Sequence, residues 1–240
     1  TNRWMPANGI EQNVKYAYPA WVEGAKTGMD NMKKFMTKDA TVNLQYASKY
    51  ASTANYWKNR QGMIDALTKA KTAQTKTKEE AKFNAWANKA ENKAKYGDVI
   101  ATINNYYAQT NLKARHDNYL TQLLRTATYG TLPASLGNGL IAYAKENEAK
   151  RAEMLPRLTS AIDGAYGSLY APLEKEVLTA QLNLYAAKAA EYGLAPKVAE
   201  MKAANNGDFT NDVHKAVTSS IFTSKDAVLA FLKEPKVETI

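Results

Sequence analysis

The sequence has 240 residues, of which 45% are hydrophobic, enough for a substantial core in one large domain or two small ones. It has no cysteine, which excludes disulfides, thiolate metal sites and a cysteine nucleophile. The net charge is +9, but the lysines are spread along the chain without a nucleic-acid-reading motif, which favours a solvated helical surface over nucleic-acid binding. Few glycines, few prolines and much Ala, Lys and Leu predict an all-α fold. No apolar run approaches the ~20 residues of a membrane span.

The N-terminal part predicts a short lead-in followed by a long helix. Residues 1–9 are the lead-in, and the pair Asn8-Gly9 indicates a turn. A helical pattern of apolar residues then runs from about residue 10 to residue 36. Pro19 lies inside this helix and predicts a kink or a break there, because proline lacks the backbone N–H that a helix interior needs.

A second long helix should pack against the first as an antiparallel hairpin. Thr37 or Asp39 can cap its N-terminus, and the helical pattern continues to about Thr72. Two long helices joined by a tight turn are typical of antiparallel neighbours. In the first helix, Gly24 and Gly28 either weaken the helix or allow the close approach of another one.

Residues 46–63 of the second helix carry three distinct faces at about 100° per residue. They are a polar stripe of Ser48, Ser52, Asn55 and Asn59, an aromatic line of Tyr46, Tyr50 and Trp57, and a slim face of Ala47, Ala51 and Ala54. The aromatic line predicts core packing. The polar stripe has two interpretations. It either forms a polar contact with another helix or hydrogen-bonds the polar end of a ligand, since an amide offers both a donor and an acceptor.

Residues 76–95 predict a third, highly charged helix. Phe83 and Trp86 are expected to anchor it to the core. The adjacent carboxylates of Glu79 and Glu80 are interpreted as solvated helix charge and not as a catalytic pair.

A fourth long helix is predicted from about residue 99 to residue 128, and its length suggests a partner for the helix that carries residues 46–63. The following segment, 129–139, is rich in glycine and contains a proline, which indicates the clearest break in the chain. The 240 residues are therefore expected to form one helical domain, with possible subdomains at 10–128 and 139–232.

The C-terminal part predicts a series of shorter helices. They span about 139–153, 155–169, 172–192, 195–204, 208–220 and 224–232. Pro172 fits the first turn of its helix, and Ser224 can cap the last one. The final residues, 236–240, are expected to be extended and slightly β-like.

No catalytic or metal-binding motif is evident. His116 and His214 are the only histidines, and neither belongs to a Glu-x-x-His or His-x-x-x-His pattern. His116 precedes Asp117 in a predicted helix, where adjacent residues do not face each other. We therefore expect no metal, no cofactor and no catalytic residue in this chain.

Several short motifs in residues 1–63 resemble a known family. They are Thr1-Asn2-Arg3-Trp4, Gly9-Ile10, Tyr18-Pro19-Ala20-Trp21, Tyr46-Ala47-Ser48-Lys49-Tyr50-Ala51-Ser52, Ala54-Asn55-Tyr56-Trp57-Lys58-Asn59 and Gly62-Met63. This pattern resembles the S46 dipeptidyl peptidases, of the bacterial dipeptidyl peptidase 7 and 11 type. The resemblance implies a chymotrypsin-like double β-barrel with a Ser-His-Asp triad, into which a large all-α domain is inserted. The chain would be that inserted domain, excised, with the triad wholly outside it.

The resemblance also implies a role for the Asn55–Asn59 segment. In the family, the helical domain caps the cleft and contributes an asparagine to the pocket for the peptide's N-terminal ammonium. Either Asn55 or Asn59 fits, with Asn55 preferred, and Trp57 would hold the helix from behind. Residues 1–9 and 233–240 would connect the cap to the catalytic domain that is missing from this chain.

The partners implied are a peptide substrate and that catalytic domain, in a bacterial periplasmic, cell-surface or secreted enzyme whose parent could be a homodimer. The alternative is a free-standing helical binding or scaffold protein of the bacterial envelope. The two interpretations differ at the ends of the chain. A free-standing module should begin and end with capped helices, whereas this sequence starts abruptly and finishes on an extended tail.

Overall fold

The chain folds into α-helices that pack in several layers. The structure, a computed structural model, describes residues 4–240, and these contain twelve α-helices and no strand. The helices are α1 (Ala7–Gln12), α2 (Tyr18–Met36), α3 (Ala40–Lys69), α4 (Thr72–Ala87), α5 (Ala90–Tyr96), α6 (Val99–Thr126), α7 (Thr128–Lys145), α8 (Glu148–Tyr166), α9 (Ala171–Lys188), α10 (Pro196–Ala204), α11 (Thr210–Ser219) and α12 (Lys225–Lys233). The predicted all-α fold class is confirmed. The motif residues Thr1, Asn2 and Arg3 lie outside the described residues.

The N-terminal segment is helical where a turn was expected. Asn8 and Gly9 lie inside α1, so the predicted turn is wrong. The carboxylate of Glu80 accepts the backbone N–H of Ala7 at 2.7 Å and so satisfies a free donor at the start of α1. Glu80 is buried by this contact. The expectation of solvated charge is therefore wrong for Glu80, while Glu79 is exposed.

The helix runs through Pro19 without the predicted break, and its backbone departs from α-helical geometry directly before that residue. A π-helical turn, Asn13–Ala17, separates α1 from α2, and Pro19 lies in the first turn of α2. Pro19 has no N–H for the carbonyl of Lys15, and a local change of hydrogen-bond pattern accommodates this loss.

The predicted hairpin of two long helices is confirmed as α2 and α3. Asp39 caps α3, because its carboxylate accepts the backbone N–H groups of Thr41 and Val42 at 2.7 and 3.1 Å. α3 ends at Lys69, slightly before the predicted end at Thr72.

α2 is the central helix, and it packs on α3, α6 and α9. A Cβ atom added at Gly24 would lie 2.6 Å from Cβ of Gln122, and one at Gly28 would lie 3.0 Å from Cβ of Thr126. These glycines therefore let α2 and α6 approach closely. The expected partnership of α6 with α3 is wrong, because the main helix contacts of α6 are with α2 and α9.

The predicted third helix, 76–95, is two helices. α4 ends at Ala87 and α5 begins at Ala90. At the break, the side-chain amide of Asn88 donates to the backbone carbonyl of Asn84 at 2.9 Å. An asparagine side chain that binds the backbone in this way competes with continuation of the helix.

Phe83 and Trp86 do not anchor α4 to the core, which corrects the prediction. They are 36% and 43% exposed, and the buried residues of α4 are Glu80 and Ala87. The two rings pack on the surface instead, with centroids 5.6 Å apart, and Trp86 also lies 5.2 Å from Tyr96.

The predicted break at 129–139 is wrong, because α7 runs through it with Pro133 inside the helix. Leu132, Leu136 and Leu140 are buried in the main core, and this burial offsets the weak local helix preference. That core joins Leu123 of α6 to residues of α7 through α12. The division into subdomains at 10–128 and 139–232 stays a prediction.

The C-terminal helices match the prediction in number but not at every boundary. α7 and α8 meet at Asn147 and not near residue 154. Asn147 caps α8 by accepting the N–H of Lys150 at 3.0 Å. Pro172 lies in the first turn of α9, and Ser224 caps α12 through the N–H of Ala227, as predicted. The tail forms a 3-10 turn, Val237–Thr239, so the extended, β-like expectation is wrong.

Candidate functional site

The polar stripe of α3 faces solvent. Ser48, Ser52, Asn55 and Asn59 are all exposed. Neither Asn55 nor Asn59 forms a side-chain hydrogen bond within residues 4–240. The stripe therefore makes no polar helix–helix contact inside the described chain, and its amides are free to meet a ligand or another domain.

The aromatic line of α3 points into the structure, most deeply at its start. Tyr46 is 1% exposed and belongs to a small core with Met32 and Val177. Tyr50 and Trp57 are half-buried. The indole Nε1 of Trp57 is buried and has no hydrogen-bond partner in the described residues. The supporting role of Trp57 stays a prediction.

A buried carboxylate fixes the inner side of α3. Glu174 of α9 accepts the hydroxyl of Tyr46 at 2.9 Å and the ammonium of Lys49 at 2.9 Å. The hydroxyl and the backbone N–H of Thr128 also donate to Glu174, at 2.6 and 2.5 Å. The Tyr46 oxygen in turn accepts the backbone N–H of Tyr170 at 3.0 Å. These contacts tie α3 to α7 and α9, so the orientation of the polar stripe is set by a fully paired buried network.

A small cleft opens between α2, α3 and α6, beside the polar stripe, and we call it the α2–α3–α6 cleft. Its volume is about 160 Å³. Ser52 and Tyr56 line it from α3, Trp21 from α2, and Gln122 and Arg125 from α6. Ser52 belongs to both features, so the cleft and the stripe form one continuous polar surface.

Two guanidinium groups stack on the aromatic rings around this cleft. The guanidinium carbon of Arg125 lies 5.3 Å from the ring centroids of both Trp21 and Tyr56. That of Arg60 lies 5.6 Å from Trp21 and 4.9 Å from Tyr18. Stacking on aromatic faces holds an arginine in place while leaving its N–H donors available.

The histidines do not form a reactive pair. Nδ1 of His116 lies 3.0 Å from the carboxylate of Asp117, so the expectation that these neighbours do not meet is wrong. Nε2 of His116 lies 2.7 Å from the hydroxyl of Tyr185, and His214 is exposed. Across residues 4–240, no group of three His, Asp or Glu side chains could hold a metal ion. No helix in this range is long and apolar enough to cross a membrane.

The α2–α3–α6 cleft could not be predicted from the sequence. From the sequence, Trp21 belongs only to the apolar pattern of residues 10–36 and to a family motif, and Gln122 and Arg125 carry no signal of their own. The only local signal is the recurrence of aromatic and arginine residues, and their meeting depends on the packing of three helices.

The fold and the site define an all-α domain with an exposed amide stripe next to a polar cleft. The chain belongs to the peptidase S46 family, whose sequence pattern matches residues 1–240. The resemblance seen in residues 1–63 is thereby confirmed and extends along the whole chain.

Curated relatives agree with this assignment. The chain is 41% identical over 241 residues to the dipeptidyl-peptidase 7 of Capnocytophaga gingivalis. This alignment covers 100% of the chain and 33% of that protein. It is 27% identical over 244 residues to the dipeptidyl-peptidase 7 of Phocaeicola vulgatus, again over 100% of the chain and 33% of the relative. The chain thus spans about a third of the length of these relatives.

Solved structures share the fold. The crystal structure of Porphyromonas endodontalis DPP11 in complex with the dipeptide Arg-Glu matches with a TM-score of 0.77 at 22% identity, over 99% of this chain and 34% of that one. A second crystal structure of the same protein, in complex with substrate, matches with a TM-score of 0.72 at 19% identity, over 100% of this chain and 33% of that one.

Proposed function

We propose that this chain is the helical cap domain of a bacterial serine exopeptidase that releases dipeptides from peptide N-termini. Membership of the peptidase S46 family supports this, as does the 41% identity to a dipeptidyl-peptidase 7. The catalytic triad would lie in the remaining two-thirds of the parent protein, in a chymotrypsin-like domain. The family assignment supports this proposal over a free-standing envelope protein.

The observation that carries the proposal is the exposed amide pair on α3. Asn55 and Asn59 are four residues apart, so both side chains lie on one face of the helix. Their carbonyl oxygens can accept hydrogen bonds from a substrate ammonium without placing a second charge in the site. Trp57, half-buried on the other side of α3, would keep the helix in position.

An ammonium site at a fixed distance from the triad would explain the release of dipeptides. The enzyme would bind the free N-terminus of the peptide, and the bond that follows the second residue would then lie at the triad. Side chains of the catalytic domain would set the preferred residues of the substrate.

Opening and closing of the cap would control access to the cleft, with movement about the connections at 1–9 and 233–240. Both ends are tied to the helical body, because Ala7 binds Glu80 and the carbonyl of Leu232 accepts the hydroxyl of Tyr143 at 3.1 Å. Bending is therefore expected before Ala7, whereas at the C-terminal connection the packing of Ile240 on the main core would have to open. Crystal forms of the parent with and without peptide should show different cap orientations. Identical orientations would contradict the gating role.

The parent enzyme would act in the periplasm, at the cell surface or after secretion, and it would be a homodimer. Fractionation of the producing bacterium and light scattering of the purified parent test these two points. Parent protein confined to the cytoplasm would contradict the location, and a monomer would contradict the dimer.

The absence of chemistry in this chain can be tested with a chromogenic dipeptidyl substrate. The 240-residue chain should show no activity, whereas the parent should be active and should lose that activity with a serine-directed inhibitor. Activity in the chain alone would contradict the cap assignment.

The role of the amide pair is tested by Asn55→Ala and Asn59→Ala in the parent. At least one variant should have a lower kcat/KM, by a factor that corresponds to ~1–3 kcal/mol of lost transition-state stabilisation, because a hydrogen bond to a charged group is removed. Thermal stability should stay nearly unchanged, since both side chains are exposed. Asn43→Ala, at an exposed position on another face of α3, is the matched control. Unchanged kcat/KM in both variants would contradict the role.

A further inference from the structure

Two hydrogen-bond donors on residues that line the α2–α3–α6 cleft are buried and have no partner. They are the indole Nε1 of Trp21 and the side-chain Nε2 of Gln122, counted over residues 4–240. Gln122 is 2% exposed and lines the cleft, as does Trp21. A buried donor without an acceptor is destabilising, so such donors are usually paired in the functional state of a protein.

The cleft also carries an uncompensated positive charge. Lys49 lines it, but the Lys49 ammonium is paired with the buried carboxylate of Glu174. Arg125 has no carboxylate within salt-bridge distance in the described part of the chain, and its guanidinium is held between the rings of Trp21 and Tyr56. The net charge of Lys49, Glu174 and Arg125 is therefore +1, and the unpaired charge is that of Arg125.

We propose that the α2–α3–α6 cleft binds a carboxylate group. The guanidinium of Arg125 would supply the charge, and the Gln122 amide and the Trp21 indole, whose N–H groups are buried, would supply further donors after small side-chain movements. A carboxylate carries only acceptors, and its two oxygens match the planar fork of an arginine. A volume of about 160 Å³ suits such a small group.

The proposal is independent of the ammonium site, because it rests on other residues. Asn55 and Asn59 do not line the cleft. Failure of the carboxylate proposal would therefore leave the ammonium proposal intact, and the reverse also holds. The carboxylate could come from a peptide or from a small free acid, and both present the same group to the cleft.

The indole of Trp21 provides a direct readout. The chain has four tryptophans, and Trp21→Phe identifies the Trp21 indole signal in a ¹⁵N–¹H correlation spectrum of the 240-residue protein. Titration with sodium acetate should shift this signal downfield in a saturable manner, with a Kd on the order of millimolar for so small a ligand. Acetamide, the neutral analogue, and sodium chloride at equal ionic strength should not do so.

A pair of arginine variants separates a specific site from general charge. Arg125→Met should weaken acetate binding by about tenfold or more, because it removes the charged donor. Arg60→Met is the matched control, since Arg60 also stacks on Trp21 but does not line the cleft, and it should leave the Kd within about twofold.

The source of the carboxylate is distinguished by comparing glycyl-glutamate with acetate. Glycyl-glutamine amide, which has no carboxylate, is the control and should not shift the Trp21 signal. Tighter binding of glycyl-glutamate than of acetate assigns the cleft to peptides, and equal binding assigns it to small free acids. No saturable shift of the Trp21 signal would overturn the proposal. The same shift with acetamide, or unchanged affinity in Arg125→Met, would overturn it as well.

Discussion

The hydroxyl of Tyr46 and the carboxylate of Glu174 meet 2.9 Å apart in the buried junction of α3 and α9. Tyr46 opens the stretch that carries the amide stripe, and Glu174 is fully buried. Burial, followed by the negative charge of Glu174, raises the pKa of Tyr46. The contact fixes the start of the stretch, so that Asn55 and Asn59, two to four turns further along the helix, face outward in a defined direction.

Removing the charge of Glu174 should destabilise the domain. Glu174→Gln removes the ion-pair partner of Lys49 and leaves one of the donors around the carboxylate without an acceptor. The expected loss is about 2–4 kcal/mol of unfolding free energy. Urea unfolding measures this change. Glu176→Gln is the matched control on the same helix, because Glu176 is exposed and pairs with an exposed Lys34. Equal midpoints for the two variants would contradict a stabilising role for the buried network.

The close approach of α2 and α6 should make Gly24 intolerant of any side chain. In Gly24→Ala, the new methyl group would lie 2.6 Å from Cβ of Gln122, an atom that cannot move without its helix. The expected loss is about 1–3 kcal/mol of unfolding free energy. Gly62→Ala is the control, because nothing lies within 4 Å of its added Cβ and alanine favours a helix by ~0.5–1 kcal/mol. Stabilisation by both substitutions would contradict the packing.

Much of the fold could be predicted from the sequence. The long helices follow from apolar periodicity, and Asp39, Pro172 and Ser224 lie at helix starts because their side chains or rings suit those positions. Several of the errors have the same cause, which is that tertiary contacts override local signals. Pro133 is tolerated inside α7 because neighbouring leucines are buried, a fact that depends on distant helices.

The site was predictable only in part. The periodicity of α3 places Asn55 and Asn59 on one face, and the structure shows that face to be exposed. The burial of Glu80 could not be predicted, because its partner, the N–H of Ala7, lies 73 residues away. The α2–α3–α6 cleft was missed for the same reason, since Trp21 and Arg125 meet only through helix packing.

High pH should unfold the domain through its buried tyrosines. Burial raises the pKa of five of them, which are Tyr46, Tyr119, Tyr129, Tyr166 and Tyr185. Above pH ~10 the unfolded chain releases these phenol protons and the folded chain retains them, so stability is complete below that pH and falls as pH rises. Each of these tyrosines lowers the free energy of unfolding by up to ~1.4 kcal/mol per pH unit in this range.

Tyr166→Phe tests this dependence at one position. Its urea midpoint should be lower at pH 7, because the hydroxyl donates to the carbonyl of Phe222 at 2.8 Å. Between pH 10 and 11.5, by contrast, the variant should lose stability less steeply than the parent sequence, since one fewer phenol ionises on unfolding. Parallel curves over this range would contradict the assignment.

The most direct test of the cap proposal compares a product dipeptide with its desamino analogue as competitive inhibitors of the parent enzyme. The two ligands differ only in the N-terminal ammonium. In the wild-type enzyme the dipeptide should have the lower Ki, and in the double variant Asn55→Ala/Asn59→Ala its advantage should shrink by about tenfold or more, with little change for the analogue. An equal loss for both inhibitors, or no loss for either, would contradict binding of the ammonium by these asparagines.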